Sequence, residues 1–262
     1  MSGSSTPLQF SRDARGVVTL TLNRPAAFNA LSEALIGALQ NAINTLAQDP
    51  TMRVVVLAAE GKAFCAGHDL KEMRADPSLA YYRKLFGQCS DMMQSLQKLP
   101  VPVIARVQGI ATAAGCQLVG MCDLAVAADS ARFATSGVNY GLFCATPSVA
   151  LSRNVSRKAA FEMLVTGDFV SAHQALEQGL INRAVPAEQL DAEVEKLVAS
   201  ILAKPRVAIE MGKGLFYRQL ETSMEAAYQD ALNTMACNMM DADALEGVQA
   251  FIDKRRPAWA LD

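Results

Sequence analysis

The run Val54-Val55-Val56-Leu57-Ala58 contains no polar residue, so a strand built from it has no face to offer water. Such a strand must be covered on both sides, as a parallel strand between two layers is. The rest of the chain has to supply that cover. Val17-Val18-Thr19-Leu20-Thr21-Leu22 alternates and is β-branched, which predicts a strand closed by Asn23-Arg24-Pro25. Ser32 caps a helix with apolar residues at Leu35, Leu39, Ile43 and Leu46, ending near Asp49-Pro50. A second helix covers Leu79 to Leu99, stopped by Pro100 and Pro102, and Val103-Ile104-Ala105-Arg106-Val107 is the next strand. A helix from Gly115 to Met121, a strand over Leu124-Ala125-Val126-Ala127 and a short strand near Phe133 follow. From Pro147 the pattern is mainly helical: Ser156 to Thr166, Ser171 to Gln178, Glu188 to Ala203, and several pieces from Pro205 through Arg256. One brief strand, Ile181 to Val185, interrupts it. Strands alternating with helices, then helices alone, predict an α/β core with a helical C-terminal region.

Composition narrows the function. Hydrophobic residues make up 51% and charged residues 19% of the 262, which suits a well-packed enzyme and argues against disorder. A formal charge of −2 gives no general attraction for nucleic acid or for an anionic membrane, so a phosphate would need local cations. No apolar run reaches the roughly 20 residues that span a bilayer. Met1 to Pro7 reads as a frayed polar tail rather than a signal peptide. Six cysteines without a CxxC spacing read as buried thiols of a reducing compartment, which implies the cytoplasm, or an organelle matrix if a presequence has been removed. The only histidines, His68 and His173, are far apart, so no metal site is expected.

Two small-residue turns carry the chemistry. Lys62-Ala63-Phe64-Cys65-Ala66-Gly67-His68-Asp69-Leu70 follows a strand, and Ala113-Ala114-Gly115-Cys116-Gln117-Leu118 opens a helix. Backbone N–H groups presented by two such turns can hold a carbonyl oxygen that becomes negative during reaction. With Leu22-Asn23-Arg24-Pro25 and Asn29-Ala30-Leu31 upstream, and Ala172-His173-Gln174-Ala175-Leu176 downstream, they resemble the crotonase (enoyl-CoA hydratase/isomerase) superfamily, over about Val17 to Pro257. The resemblance implies a crotonase (ClpP-like) spiral of ββα units over residues 1–200. It implies a helical trimerisation region over 201–262 within the same structural unit.

It also implies roles. The family pattern A-G-x-D falls on Ala66-Gly67-His68-Asp69 and places one oxyanion donor at the backbone N–H of His68. The G-G-G-x-E segment falls on Ala113 to Gln117 and places the other at the N–H of Ala114, reinforced by the helix dipole. Alanine for glycine at 113 is expected to cost little, provided the backbone there suits a Cβ. Where the family's hydratases carry two catalytic glutamates, this chain has Gln117 and, through F-x-x-P-E on Phe133 to Gly137, Gly137. Gln117 can orient water but cannot exchange a proton near neutral pH. Two missing proton-transfer groups would cost a conventional hydratase at least ~10⁴-fold. The segment through Gly141-Leu142-Phe143-Cys144-Ala145-Thr146-Pro147 looks most like the branch called enoyl-CoA hydratase domain-containing protein 3, which shares both replacements.

Three readings remain open: decarboxylation of a malonyl-type thioester; weak hydratase or isomerase chemistry using Asp69, Glu72, Tyr140, Cys144 or His68; or binding of acyl-CoA without turnover. In each, a coenzyme A thioester is the ligand and no cofactor is covalently bound. By the resemblance, Lys62, Ala63, Phe64 and Ala66 line the CoA channel, Arg24 and Lys62 meet phosphates, and Phe251 and Lys254 complete the site from a neighbouring subunit of a homotrimer or of two stacked trimers. Lys254-Arg255-Arg256 reads equally as a solvated helix end.

Overall fold

The computed structural model describes residues 6–260; most of the tail expected at Met1 to Pro7 lies outside them. The first strand, β1 (Leu8–Arg12), pairs antiparallel with β2 (Val17–Leu22), and Gly16 turns the hairpin at φ 82°. Ser32 caps α1 (Glu33–Leu46), accepting a hydrogen bond from the Leu35 N–H, and Leu35, Leu39, Ile43 and Leu46 are all buried. Every residue of β3 (Val54–Ala59) is buried, as its wholly apolar sequence requires. After it come β4 (Ala63–Cys65), a short α2 (Leu70–Ala75), α3 (Leu79–Lys98), β5 (Val103–Val107), β6 (Ile110–Thr112) and α4 (Ala114–Met121). Next are β7 (Leu124–Ala128), β8 (Arg132–Ala134), α5 (Ala145–Asn154), α6 (Arg157–Thr166), β9 (Val170–Ser171), α7 (Ala172–Glu177), β10 (Arg183–Val185) and α8 (Leu190–Leu202). The chain ends in α9 (Arg206–Gln219), α10 (Met224–Met239) and α11 (Ala242–Ile252).

The strands form two sheets. One has the order β1-β2-β3-β5-β7-β10, parallel except at β1; the other has the order β4-β6-β8-β9, parallel except at β9. Each repeat gives one strand to each sheet: β3 and β4, β5 and β6, β7 and β8. This is the ββα spiral. The larger core lies between the sheets and α1, α3 and α4, and a smaller one lies where Leu190, Val194 and Val198 of α8 cover Val54, Val56, Ile104 and Val126.

The C-terminal helices join this body through a buried ion pair. Lys213 of α9 donates to the Asp123 carboxylate at 2.7 Å and to the carbonyls of Val101 (2.9 Å) and Leu96 (3.2 Å), which uses all three ammonium hydrogens. Tyr217 donates to the other Asp123 oxygen at 2.7 Å. A buried ammonium is tolerated only with partners of this kind. No apolar residue of α9 or α10 is fully buried, and large side chains such as Phe216, Tyr228, Leu232 and Met235 face outward. Among the described residues no helix is long and apolar enough to cross a membrane.

Candidate active site

The first turn is fixed from behind by Asn29. That residue is fully buried; its side-chain amide donates to the carbonyls of Glu60 and Ala63, both at 2.8 Å, and its oxygen accepts from the Arg24 N–H at 2.8 Å. The Ala66 N–H donates to Phe28 at 3.0 Å, Leu31 N–H to Gly67 at 2.7 Å, and Asp69 N–H to Leu31 at 3.1 Å. In this pairing the groups on either side of His68 face Leu31, and the His68 N–H is turned the other way. Gly67 sits at φ 89°, where a Cβ would be strained and would come within 2.9 Å of the Ala113 Cβ and 3.3 Å of the Ala114 nitrogen. The two turns are therefore in contact.

The second turn is held by the Ala113 N–H, which donates to Ala134 at 2.9 Å. Ala114 begins α4, whose eight residues are all buried. Gly115 allows α4 to lie against β4, because a Cβ there would run into the Cys65 carbonyl. Neither the His68 nor the Ala114 amide has an acceptor among the described residues, and the latter carries the positive end of a helix. One expectation needs correction. Ala113 lies at φ 52°, ψ −122°, outside the regions an L-residue normally occupies, so alanine in place of glycine is strained by about 1–3 kcal/mol.

His68 and Ala114 both line a cavity of about 180 Å³. Ala66, His68, Met73, Phe86, Ala113 and Ala114 form one wall; Ser136, Gly137, Tyr140, Leu142, Phe143 and Cys144 form the other. His68, Ala114 and Gly137 are thus brought together. Gln117 is not in the wall: it is buried one turn along α4, and its side-chain oxygen has no partner. Gly137 is more than a missing side chain. Leu142 N–H donates to the Gly137 carbonyl at 3.0 Å, Gly141 turns the chain at φ 78°, and a Cβ on residue 137 would meet the Leu142 oxygen at 2.5 Å and the Cys144 sulfur at 2.7 Å. The backbone has closed over the place a glutamate would start from. A 2.8 Å hydrogen bond between Thr112 and Ser136 anchors the start of this loop to β6.

The ionisable candidates separate by position. Burial acts to raise the Asp69 carboxyl, but the Arg24 hydrogen bond at 2.9 Å, backbone donors and the Arg24 charge together hold it below its ordinary value. Glu72 accepts from the Glu33 N–H at 2.9 Å. Neither faces the cavity. Burial pushes the Cys144 thiol up, and Cys65 and Cys116 are pushed up to about 12 by the same cause, so all three are protonated thiols at neutral pH. Burial pushes the His68 imidazole down to about 4. Among the described residues no Asp, Glu, Lys or Arg lines the cavity.

The residues expected to hold CoA are dispersed. Arg24 is engaged by Asp69 and by the Ala30 carbonyl, so a phosphate would have to share it. Lys62 is exposed at the edge of β4. Phe64 is fully buried in the core, and the Ala63 carbonyl already accepts from Asn29 and, at 3.1 Å, from Gln108. Phe251 is 84% exposed on α11, and Lys254 follows it at φ 56°; neither touches the cavity of its own chain. Among the described residues no cluster of three or more His, Cys, Asp or Glu could hold a metal ion. Sequence reasoning missed the apolar lining contributed by Met73, Phe86, Leu142 and Phe143, whose only signal is a set of apolar residues near turns.

A family profile described as enoyl-CoA hydratase/isomerase matches residues 12–261. The chain belongs to that family. A crystal structure of an enoyl-CoA hydratase from Mycobacterium smegmatis is 68% identical, with a TM-score of 0.97 over 97% of this chain and 99% of that one. The human enoyl-CoA hydratase domain-containing protein 3 is 43% identical, with a TM-score of 0.93 over 97% of this chain and 100% of that structure. A mitochondrial protein of the same name from Xenopus laevis is 46% identical over 97% of this chain and 86% of its own length. The spiral is the crotonase fold, and the branch expected from the sequence is the one named for the human and Xenopus relatives.

Proposed function

We propose that this crotonase-family chain binds an acyl-CoA thioester and stabilises its enolate between the amides of His68 and Ala114, with conventional hydration weak. The observation that carries the reading is the pair of amides without an acceptor among the described residues, on two residues that line a cavity to which no described residue brings a carboxylate. Two preorganised donors contribute on the order of 3 kcal/mol each to an oxyanion. Hydration needs in addition a base for water and an acid for the α carbon, and Gln117 and Gly137 supply neither. A malonyl-type substrate is less well served, because among the described residues no cation lines the cavity to receive its carboxylate.

The outward-facing apolar side chains of α9 to α11 support a homotrimer, or two stacked trimers, with a division near residue 200 between spiral and helices. All six cysteines are free, which fits a reducing compartment: the cytoplasm, or an organelle matrix, the Xenopus relative being named mitochondrial.

The test is crotonyl-CoA hydration alongside calorimetric binding of a saturated acyl-CoA. Binding is expected, with hydration at least ~10⁴-fold below an ordinary rate of about 10 s⁻¹. Hydration at that ordinary rate, or no binding, overturns the reading.

A further inference from the structure

Resting on the proposed thioester site, we infer that Arg24 is a positioning residue of that site, clasping the turn that aims the His68 amide, rather than a ligand of CoA phosphates. The geometry that leads there is a small parallel bridge. Leu31 pairs with His68: the Leu31 N–H donates to Gly67 at 2.7 Å and the Asp69 N–H to Leu31 at 3.1 Å. The Arg24 guanidinium spans the two segments beside this bridge. One terminal nitrogen donates to the carbonyl of Ala30, the residue before Leu31. The other donates at 2.9 Å to the carboxylate of Asp69, the residue after His68. The second Asp69 oxygen accepts from the Lys71 N–H at 3.1 Å and so caps α2.

Arg24 is itself fixed. Its N–H donates to the Asn29 side chain at 2.8 Å, and its carbonyl accepts from the Asn29 N–H at 3.0 Å. The strap that follows needs such ties. Phe28 and Asn29 stand at φ 50° and 54°, in the left-handed region that a bulky residue seldom enters. Phe28 and Leu31 of this strap carry the backbone acceptors for Ala66 and Asp69, so the first turn sits only as firmly as the strap does. A phosphate, by contrast, is poorly served by this arginine. Its charge is already matched by a carboxylate 2.9 Å away, so an arriving phosphate meets a neutral pair. Drawing the guanidinium off would leave the Asp69 side chain, 13% exposed, without its counter-charge. A planar fork suits two acceptors on different segments, where a lysine ammonium has a less fixed geometry.

The experiment follows butyryl-CoA, labelled with ¹³C at the carbonyl, by NMR: two amide donors polarise that carbonyl and move its resonance downfield on binding. Titrations give the affinities for butyryl-CoA and for butyryl-pantetheine, which carries no phosphate. Arg24→Met and Arg24→Lys should each remove about half of the downfield displacement, because one of two donors is released. The ratio of the two affinities should stay within about twofold of wild type, whereas loss of a phosphate contact would lower it at least ~10-fold. Asp69→Asn, which keeps the α2 cap, should reduce the displacement in the wild-type background and change nothing further in Arg24→Met. If Arg24→Met does not fold, Arg24→Lys and Asp69→Asn carry the same two readouts. A displacement that survives in the Arg24 variants, a ratio that falls about tenfold, or additive losses in the double variant overturn the assignment. Wild type that fails to bind butyryl-CoA, or binds it without displacement, instead overturns the thioester site itself.

Discussion

The two walls of the cavity are built on different terms. On the side of His68 and Ala114 the working groups are main-chain amides, placed by close backbone contacts: Gly67 against Ala113 and Ala114, Gly115 against Cys65. Such a wall depends on small residues, because its oxyanion donors are backbone groups. On the side of Ser136 to Cys144 the expected chemistry belongs to a single carboxylate. Once that side chain is gone nothing preserves room for it, and the Leu142 carbonyl and Cys144 sulfur occupy the space. Chemistry carried by backbone geometry survives as long as the fold does; chemistry carried by one side chain can vanish while the fold stays whole.

Gly115→Ala should break the first wall with the largest effect. The added Cβ meets the Cys65 carbonyl, and neither β4 nor the start of α4 can yield without separating the two turns. We expect a loss of about 3 kcal/mol or more in denaturant unfolding, together with loss of acyl-CoA binding. A variant as stable as wild type would show that the turns have slack, and the fixed pair of amides would go with it.

Gly137→Glu tests the second wall and should cost less, about 2 kcal/mol, because a partly exposed 3₁₀ turn (Ser136–Tyr140) and its loop can move. Adding the carboxylate should not restore crotonyl-CoA hydration, alone or with Gln117→Glu, since the new side chain begins inside the space of Leu142 and Cys144. Recovery of an ordinary hydration rate in the double variant would mean that the loop reopens, and that the loss is one of side chains only.

The same contrast marks what could be read in the sequence. Strands β2, β3, β5 and β7 and helices α1, α3, α6 and α8 announce themselves through alternation, apolar runs and caps, and they stand within a few residues of expectation. The short strands of the second sheet, β4, β6 and β9, have two or three residues each and no periodicity to detect; they exist because the spiral places them side by side. The edge strand β1 fell next to a tail read as frayed, since its exposed residues carry no core pattern. The two turns were legible because a motif places backbone groups. The closed loop over Gly137, the strain at Ala113 and the Asp123–Lys213 pair were not, because each depends on contacts made by residues distant in sequence or on a dihedral that composition does not encode.

Ala113→Gly gives the smallest effect and the sharpest comparison between the walls. At φ 52°, ψ −122° the alanine Cβ crowds its own backbone, a strain of about 1–3 kcal/mol that glycine does not feel. Against that stands the extra freedom of glycine in the unfolded chain, up to about 1 kcal/mol. The balance is a gain of about 1 kcal/mol, read as a higher urea midpoint at unchanged slope. The Ala113 N–H keeps its bond to Ala134, so the start of α4 and the Ala114 amide should stay where they are and acyl-CoA binding should not change. A lower midpoint would mean that the Ala113 methyl contributes more by packing against Gly67 than its conformation costs. The second turn would then be held by side-chain contact, and the distinction drawn between the two walls would fail at that residue.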